Sequence, residues 1–202
     1  IAAAGLSLGG LTSLLATYHH GLRDPRIAAA VSIAGPTSLF RPALFDGADR
    51  PLLMVYGTGD AVVPYADNAL PVPPMYPRAT LVTLREASHA GFAYPAATFM
   101  RFMRNPDRIG CWAVVNHLNL ADARQDTAFV ARLSDGEHGV DPDQQFTFCA
   151  GELPAQPMHA IRQQMFTALA THAFLDSRFS HDSAVRQAAA HYLAQTLGAE
   201  NS

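Results

Sequence analysis

The first eighteen residues read Ile1-Ala2-Ala3-Ala4-Gly5-Leu6-Ser7-Leu8-Gly9-Gly10-Leu11-Thr12-Ser13-Leu14-Leu15-Ala16-Thr17-Tyr18. A short run of small apolar residues leads into G-x-S-x-G. Beyond it, Leu11, Leu14, Leu15 and Tyr18 are spaced as on one face of a helix. This strand, turn and helix context sets Ser7 on a sharp bend, its hydroxyl standing clear of a sheet. Glycine at positions 5 and 9 fits such a bend, where bulkier side chains are expected to clash across the turn. Taken alone the pattern also describes a glycine-rich turn with a surface serine, so the rest of the chain has to decide.

Residues 51–60 read Pro-Leu-Leu-Met-Val-Tyr-Gly-Thr-Gly-Asp. Leu52 to Tyr56 form a continuous apolar run of the kind buried in a parallel sheet. Gly57-Thr58-Gly59 ends that strand and delivers Asp60 at its C-terminal edge. A second run, Ala79 to Leu84, is followed by Arg85-Glu86-Ala87-Ser88-His89-Ala90-Gly91-Phe92, which sets His89 in a loop of small residues. Ile27 to Gly35 supplies a further buried strand between Ser7 and Asp60. Ser7, Asp60 and His89 thus each fall just after a strand, at the sheet edge where open α/β folds bind ligands. Asp67 and Glu86 fit the acid position less well, since neither follows a strand end with suitable turn chemistry. Phe92 and Tyr94 either line a pocket beside His89 or anchor the segment that follows.

On G-L-S-L-G-G, G-T-G-D-x-x-V-P and A-S-H-A-G-F, in that chain order, residues 1–100 resemble the C-terminal half of an α/β-hydrolase catalytic domain of the serine esterase and lipase type. The spacing leaves no room for a large lid domain, and is most similar to dienelactone-hydrolase-like, chlorophyllase-like and bacterial acetylhydrolase-like members. Dienelactone hydrolases themselves carry a nucleophilic cysteine, so the serine here points to ordinary ester chemistry. The resemblance implies an α/β fold, a mostly parallel sheet with flanking helices. It implies Ser7 as nucleophile, His89 as general base and acid, and Asp60 as the group orienting His89. It also implies the backbone N–H of Leu8 as an oxyanion donor. No cofactor and no metal are expected, and the implied partner is a small-molecule or lipid-like ester.

In that family a second oxyanion donor comes from a loop upstream of the serine motif. By the same comparison the chain holds about the last four strands, near residues 1–4, 28–34, 51–56 and 79–84. The expectation is therefore the C-terminal part of a single hydrolase domain over residues 1–202, its N-terminal strands missing from this chain. The alternatives are a split or degenerate enzyme, or a hydrolase-like module that binds without catalysing.

With 49% hydrophobic and 15% charged residues the composition is that of a globular chain. No run approaches the ~18 apolar residues of a membrane span. A net charge of −3 without a basic patch makes no electrostatic case for nucleic acid, and every basic residue is arginine. Tyr94 to Arg104 reads as helical after Pro95. Residues 105–156 read as an irregular insertion, with turns at Asp135-Gly136-Glu137-His138-Gly139 and Asp141-Pro142-Asp143. Two helices follow. One, near 158–176, carries Ile161, Met165, Phe166, Leu169 and Ala173 on one face; the other, near 183–197, repeats Val185, Ala189, Leu193 and Leu197. Cys111 and Cys149 form either a disulfide clamping the insertion, which would favour export, or two thiols that never meet. Localisation and oligomeric state are otherwise open. His19-His20 ends the first helix, and His117, His138, His159, His172, His181 and His191 lack metal-ligand spacing.

Overall fold

The computed structural model describes residues 1–94, 98–100, 102–103, 105–117, 133, 139–141, 143–144 and 146–196. Four strands form one parallel sheet in the order β1 (Ala2–Leu6), β2 (Ala29–Ile33), β3 (Leu52–Gly57), β4 (Ala79–Leu84). Around it lie α1 (Leu8–Tyr18), the short helices α2 (Tyr65–Asn68) and α3 (Val72–Met75), α4 (Asp107–His117), α5 (Ala160–Phe179) and α6 (Ser183–His191). This is the expected α/β architecture, a parallel sheet with flanking helices.

Parallel strands are covered on both faces, so a central one reads as an unbroken apolar run. β3 behaves that way, buried at all six positions. Its alternating side chains feed two cores. Leu52, Met54 and Tyr56 pack with Leu11, Leu14, Leu15 and Tyr18 of α1, and with Phe45 and Tyr76. Leu53 and Val55 face Phe166, Ala170 and Phe174 of α5. Tyr18, Phe45 and Tyr76 form a contiguous aromatic group, with Phe45 stacked on Tyr76 at 4.7 Å.

The second half departs from the sequence reading. Within the stretch read as irregular, residues 107–117 form α4, and Cys111 is bonded to Cys149 with their Cα atoms 5.5 Å apart. On α5 the buried face is Gln163, Phe166, Ala170, Ala173 and Phe174, while Ile161, Met165 and Leu169 lie exposed. Two phenylalanines separated by small alanines let the helix sit close on β3, which outweighs the more obvious fourfold apolar repeat. No residue of α6 is buried, and it passes into a π-helical turn, Tyr192–Thr196, where Tyr192 and Leu193 pack on the α5 side of the core. Leu197, the turn residues 135–138 and Pro142, and residues 95–97, 101 and 104 of the expected helix lie outside the described residues. No helix among the described residues is long and apolar enough to cross a membrane.

Candidate active site

The β1–α1 turn places Ser7 at φ 57°, ψ −123°, on the left-handed side that non-glycine residues rarely adopt. Such a conformation costs on the order of 1–3 kcal/mol and persists only where its surroundings over-determine it. Here the Ser7 N–H donates to the Ile33 carbonyl at 2.8 Å, and its own carbonyl accepts from Leu11 N–H at 3.1 Å. The bend brings Gly5 against the start of α1. A Cβ on Gly5 would lie 2.2 Å from the Gly9 carbonyl carbon and oxygen. Gly9 differs from the sequence expectation, because a Cβ there meets nothing within 4 Å. The second tight position is Gly10, whose Cβ would approach Ser32 Oγ at 2.7 Å.

Although Ser7 precedes the helix, its hydroxyl does not cap α1. Its Oγ lies instead 3.0 Å from Nε2 of His89. The other ring nitrogen, Nδ1, is 2.8 Å from Asp60 Oδ2. A carboxylate only accepts, so Nδ1 carries the proton, and Nε2 of the neutral ring accepts from the serine hydroxyl. The Asp60 side chain is fully buried, and its second oxygen accepts the N–H groups of Val62 at 3.0 Å and Val63 at 2.7 Å. Ser7 remains partly open to solvent. All three residues stand beyond the carboxyl ends of their strands, as expected, and the fold joins them in one hydrogen-bonded chain.

Burial pushes the Asp60 carboxyl above its ordinary value, against the hydrogen bond and charge of His89 and the N–H of Val63. Burial alone would lower the His89 imidazole. The hydrogen bond and charge of Asp60, with the charge of Asp107, outweigh that and hold His89 above its usual value. The imidazolium is thus stabilised where a proton from Ser7 would arrive. Leu8 occupies the first position of α1, where N–H groups have no intrahelical acceptor and the helix dipole is positive.

The loops carrying Asp60 and His89 run back to back. Gly59 N–H donates to the Ala87 carbonyl at 3.1 Å. That same carbonyl oxygen passes 2.1 Å from where a Cβ of Gly57 would sit, so only glycine permits the approach. Two residues absent from the sequence expectations complete the frame. Buried Gln163 of α5 donates to the Ser88 carbonyl at 2.7 Å and accepts its N–H at 3.2 Å. Asp107, fully buried at the start of α4, accepts from Ala61 N–H (3.1 Å), His89 N–H (2.8 Å) and Ala90 N–H (2.7 Å). Asp107 lies in the stretch read from sequence as irregular. An acidic residue in a first helical turn after proline was the one local cue.

The other candidates fall elsewhere. Asp67 is exposed and accepts from Thr147 Oγ1, and Glu86 is exposed at φ 56°. Phe92 is a core residue beside α5, whereas Tyr94 is exposed. His19 is the C-cap of α1, buried, with Nε2 2.8 Å from the Leu133 carbonyl. Among the described residues no group of three or more His, Cys, Asp or Glu is arranged to hold a metal ion.

No protein-family model matches the chain, and no curated protein matches it. Among solved structures, it is similar to a truncated carbohydrate esterase from gut microbiota. That match has 17% identity and a TM-score of 0.35, and covers 43% of this chain and 51% of the other. It is also similar to the esterase domain of a Rhodothermus marinus protein, at 18% identity and TM-score 0.34, over 55% of this chain and 59% of that one. The chain thus spans between half and three-fifths of the length of these two structures.

Proposed function

We propose that this chain carries the catalytic triad of a serine hydrolase that cleaves carboxylic esters through an acyl-enzyme intermediate, in the manner of the α/β-hydrolase esterases. The observation that supports it is the unbroken hydrogen-bonded path from Ser7 Oγ through the His89 ring to Asp60, with Ser7 held on a strained turn. In this reading Ser7 Oγ attacks the ester carbonyl carbon while its proton passes to His89 Nε2. Asp60 keeps Nδ1 protonated and stabilises the imidazolium. The oxyanion forms toward the Leu8 N–H at the positive end of α1. His89 then returns the proton to the leaving alcohol, leaving an acyl group on Ser7. Water enters, gives a proton to His89 and attacks the acyl carbon; the bond from that carbon to Ser7 Oγ then breaks as His89 returns the proton to Oγ, which releases the acid and restores the serine.

The test is labelling with a fluorophosphonate probe, read by peptide mass spectrometry, together with turnover of nitrophenyl esters of increasing acyl length. Label is expected at Ser7, absent from Ser7→Ala and strongly reduced in His89→Ala. Ser7→Ala should lose on the order of 10⁴-fold or more in turnover with the fold intact. Wild-type turnover in a folded Ser7→Ala variant would refute the proposal.

A further inference from the structure

We propose that Asp107 is a positioning residue for this reaction, locking the loop of the acid and the loop of the base to one carboxylate so that His89 holds its place between Ser7 and Asp60. The inference rests on the triad reading above. The two oxygens of Asp107 divide their bonds between both loops: Oδ2 accepts from Ala61 N–H and His89 N–H, and Oδ1 from Ala90 N–H. One acceptor therefore grips the residue after Asp60 and the backbone of His89 itself. A fully buried carboxylate with every bond directed at another loop is an expensive way to begin a surface helix. None of these three bonds goes to α4 itself; the placement serves the loops.

The helix that presents Asp107 is itself tied to the acid loop. Cys111 lies one turn on, at the i+4 position that shares a face with Asp107, and is bonded to Cys149. The Cys149 N–H donates to the Val62 carbonyl at 2.9 Å, and the Gly151 N–H to the Ala61 carbonyl at 3.2 Å. α4, its disulfide and the 60–63 loop therefore form one unit, and Asp107 extends that unit to the base. The charge of Asp107 also bears on the pair: with Asp60 it favours the protonated form of His89, and it raises Asp60. A residue that only held α4 in place would leave the labelling rate and kcat of the folded molecules unmoved.

The experiment compares wild type, Asp107→Asn and Asp107→Glu by fluorophosphonate labelling rate, by kcat and KM on a short nitrophenyl ester, and by the pH profile of kcat/KM. Asparagine keeps the volume but turns an amide N–H₂ toward a backbone N–H on one side or the other. Asp107→Asn is expected to lose about 10²-fold in kcat, as a misplacement of ~1 Å does. Its KM should change little, and the acid limb of its profile should move to lower pH. Asp107→Glu keeps the charge and loses the geometry, so kcat falls while the acid limb stays. It carries the test alone if Asp107→Asn fails to fold. A folded variant labelled at the wild-type rate with kcat unchanged overturns the proposal, even if its acid limb moves or its melting temperature drops. A wild-type chain that takes no label instead refutes the hydrolase reading, and this one with it.

Discussion

Replacing Gly5 by alanine should damage stability and chemistry together, and the size of the effect follows from one close approach. The new Cβ would sit 2.2 Å from the carbonyl carbon and oxygen of Gly9 and 2.8 Å from the Gly10 nitrogen, where ordinary contact begins at 3.4 Å. All three obstacles are backbone, so no side chain can swing aside. Relief requires β1 and the first turn of α1 to separate by roughly 1 Å, with Ser7 on the bend between them. Overpacking of this kind costs about 3 kcal/mol at the upper end of its usual range. In a chain of this length that corresponds to a fall of roughly 6–12 °C in melting temperature. Since the same shift moves Ser7 Oγ and the Leu8 N–H relative to His89, kcat/KM should fall on the order of 10²-fold in the molecules that remain folded. Gly9→Ala is the matched control. Its Cβ meets nothing, and alanine is favoured over glycine within a helix by about 0.5–1 kcal/mol, so this variant should melt at or above wild type. Thermal unfolding followed by circular dichroism, with ester turnover on the same samples, reads both effects. The reasoning fails if Gly5→Ala melts and turns over like wild type, or if Gly9→Ala is damaged as severely.

Two further outcomes follow from the site and its clamp. The proposed mechanism needs neutral His89, whose pKa is held above 6.5 by Asp60 and Asp107 against burial, so kcat/KM should rise with pH through a midpoint above 6.5. The stability linked to that raised pKa is complete below about 6.5 and is lost as pH rises through the folded value, so this increment declines over the window in which activity climbs. A profile on an uncharged ester with its acid limb at or below 6.5 would contradict this. Reducing the Cys111–Cys149 bond, which spans 38 positions, should cost about 3–4 kcal/mol in the chain-entropy model, or roughly 6–16 °C in melting temperature. Complete reduction, verified by thiol titration, with no change in melting would contradict the clamp.

The strands, and the placement of the three candidate residues beyond their carboxyl ends, were legible because their signals are local. β3 is an unbroken apolar run, and Ser7, Asp60 and His89 each follow a strand within a few residues whose turn chemistry is visible. The frame around them is not local. Asp107 acts on backbone N–H groups of Ala61, His89 and Ala90, which carry no residue-type signature, and Gln163 reaches Ser88 across 75 positions. The face of α5 misled for a different reason. Ile161, Met165 and Leu169 form the more hydrophobic stripe, yet alanines 170 and 173 allow the closer approach to the sheet. Two cysteines permitted one bond or none, and spacing alone does not decide whether their backbones meet.

The pairing of Gln163 with Ser88 bears on the order of assembly. A chain ended before α5 would contain Ser7, Asp60 and His89, both glycines of the bend, Asp107 and both cysteines, yet the segment leading into His89 would lack both side-chain hydrogen bonds made to its backbone at Ser88. On the ribosome the sheet can form early, since its strands pair with their sequence neighbours. The Ser88 end of the His89 loop gains those two bonds only after α5 has been made and has docked on β3 and β4. Nascent chains would therefore hold Ser7, Asp60 and His89 before the His89 loop carries all of its side-chain supports.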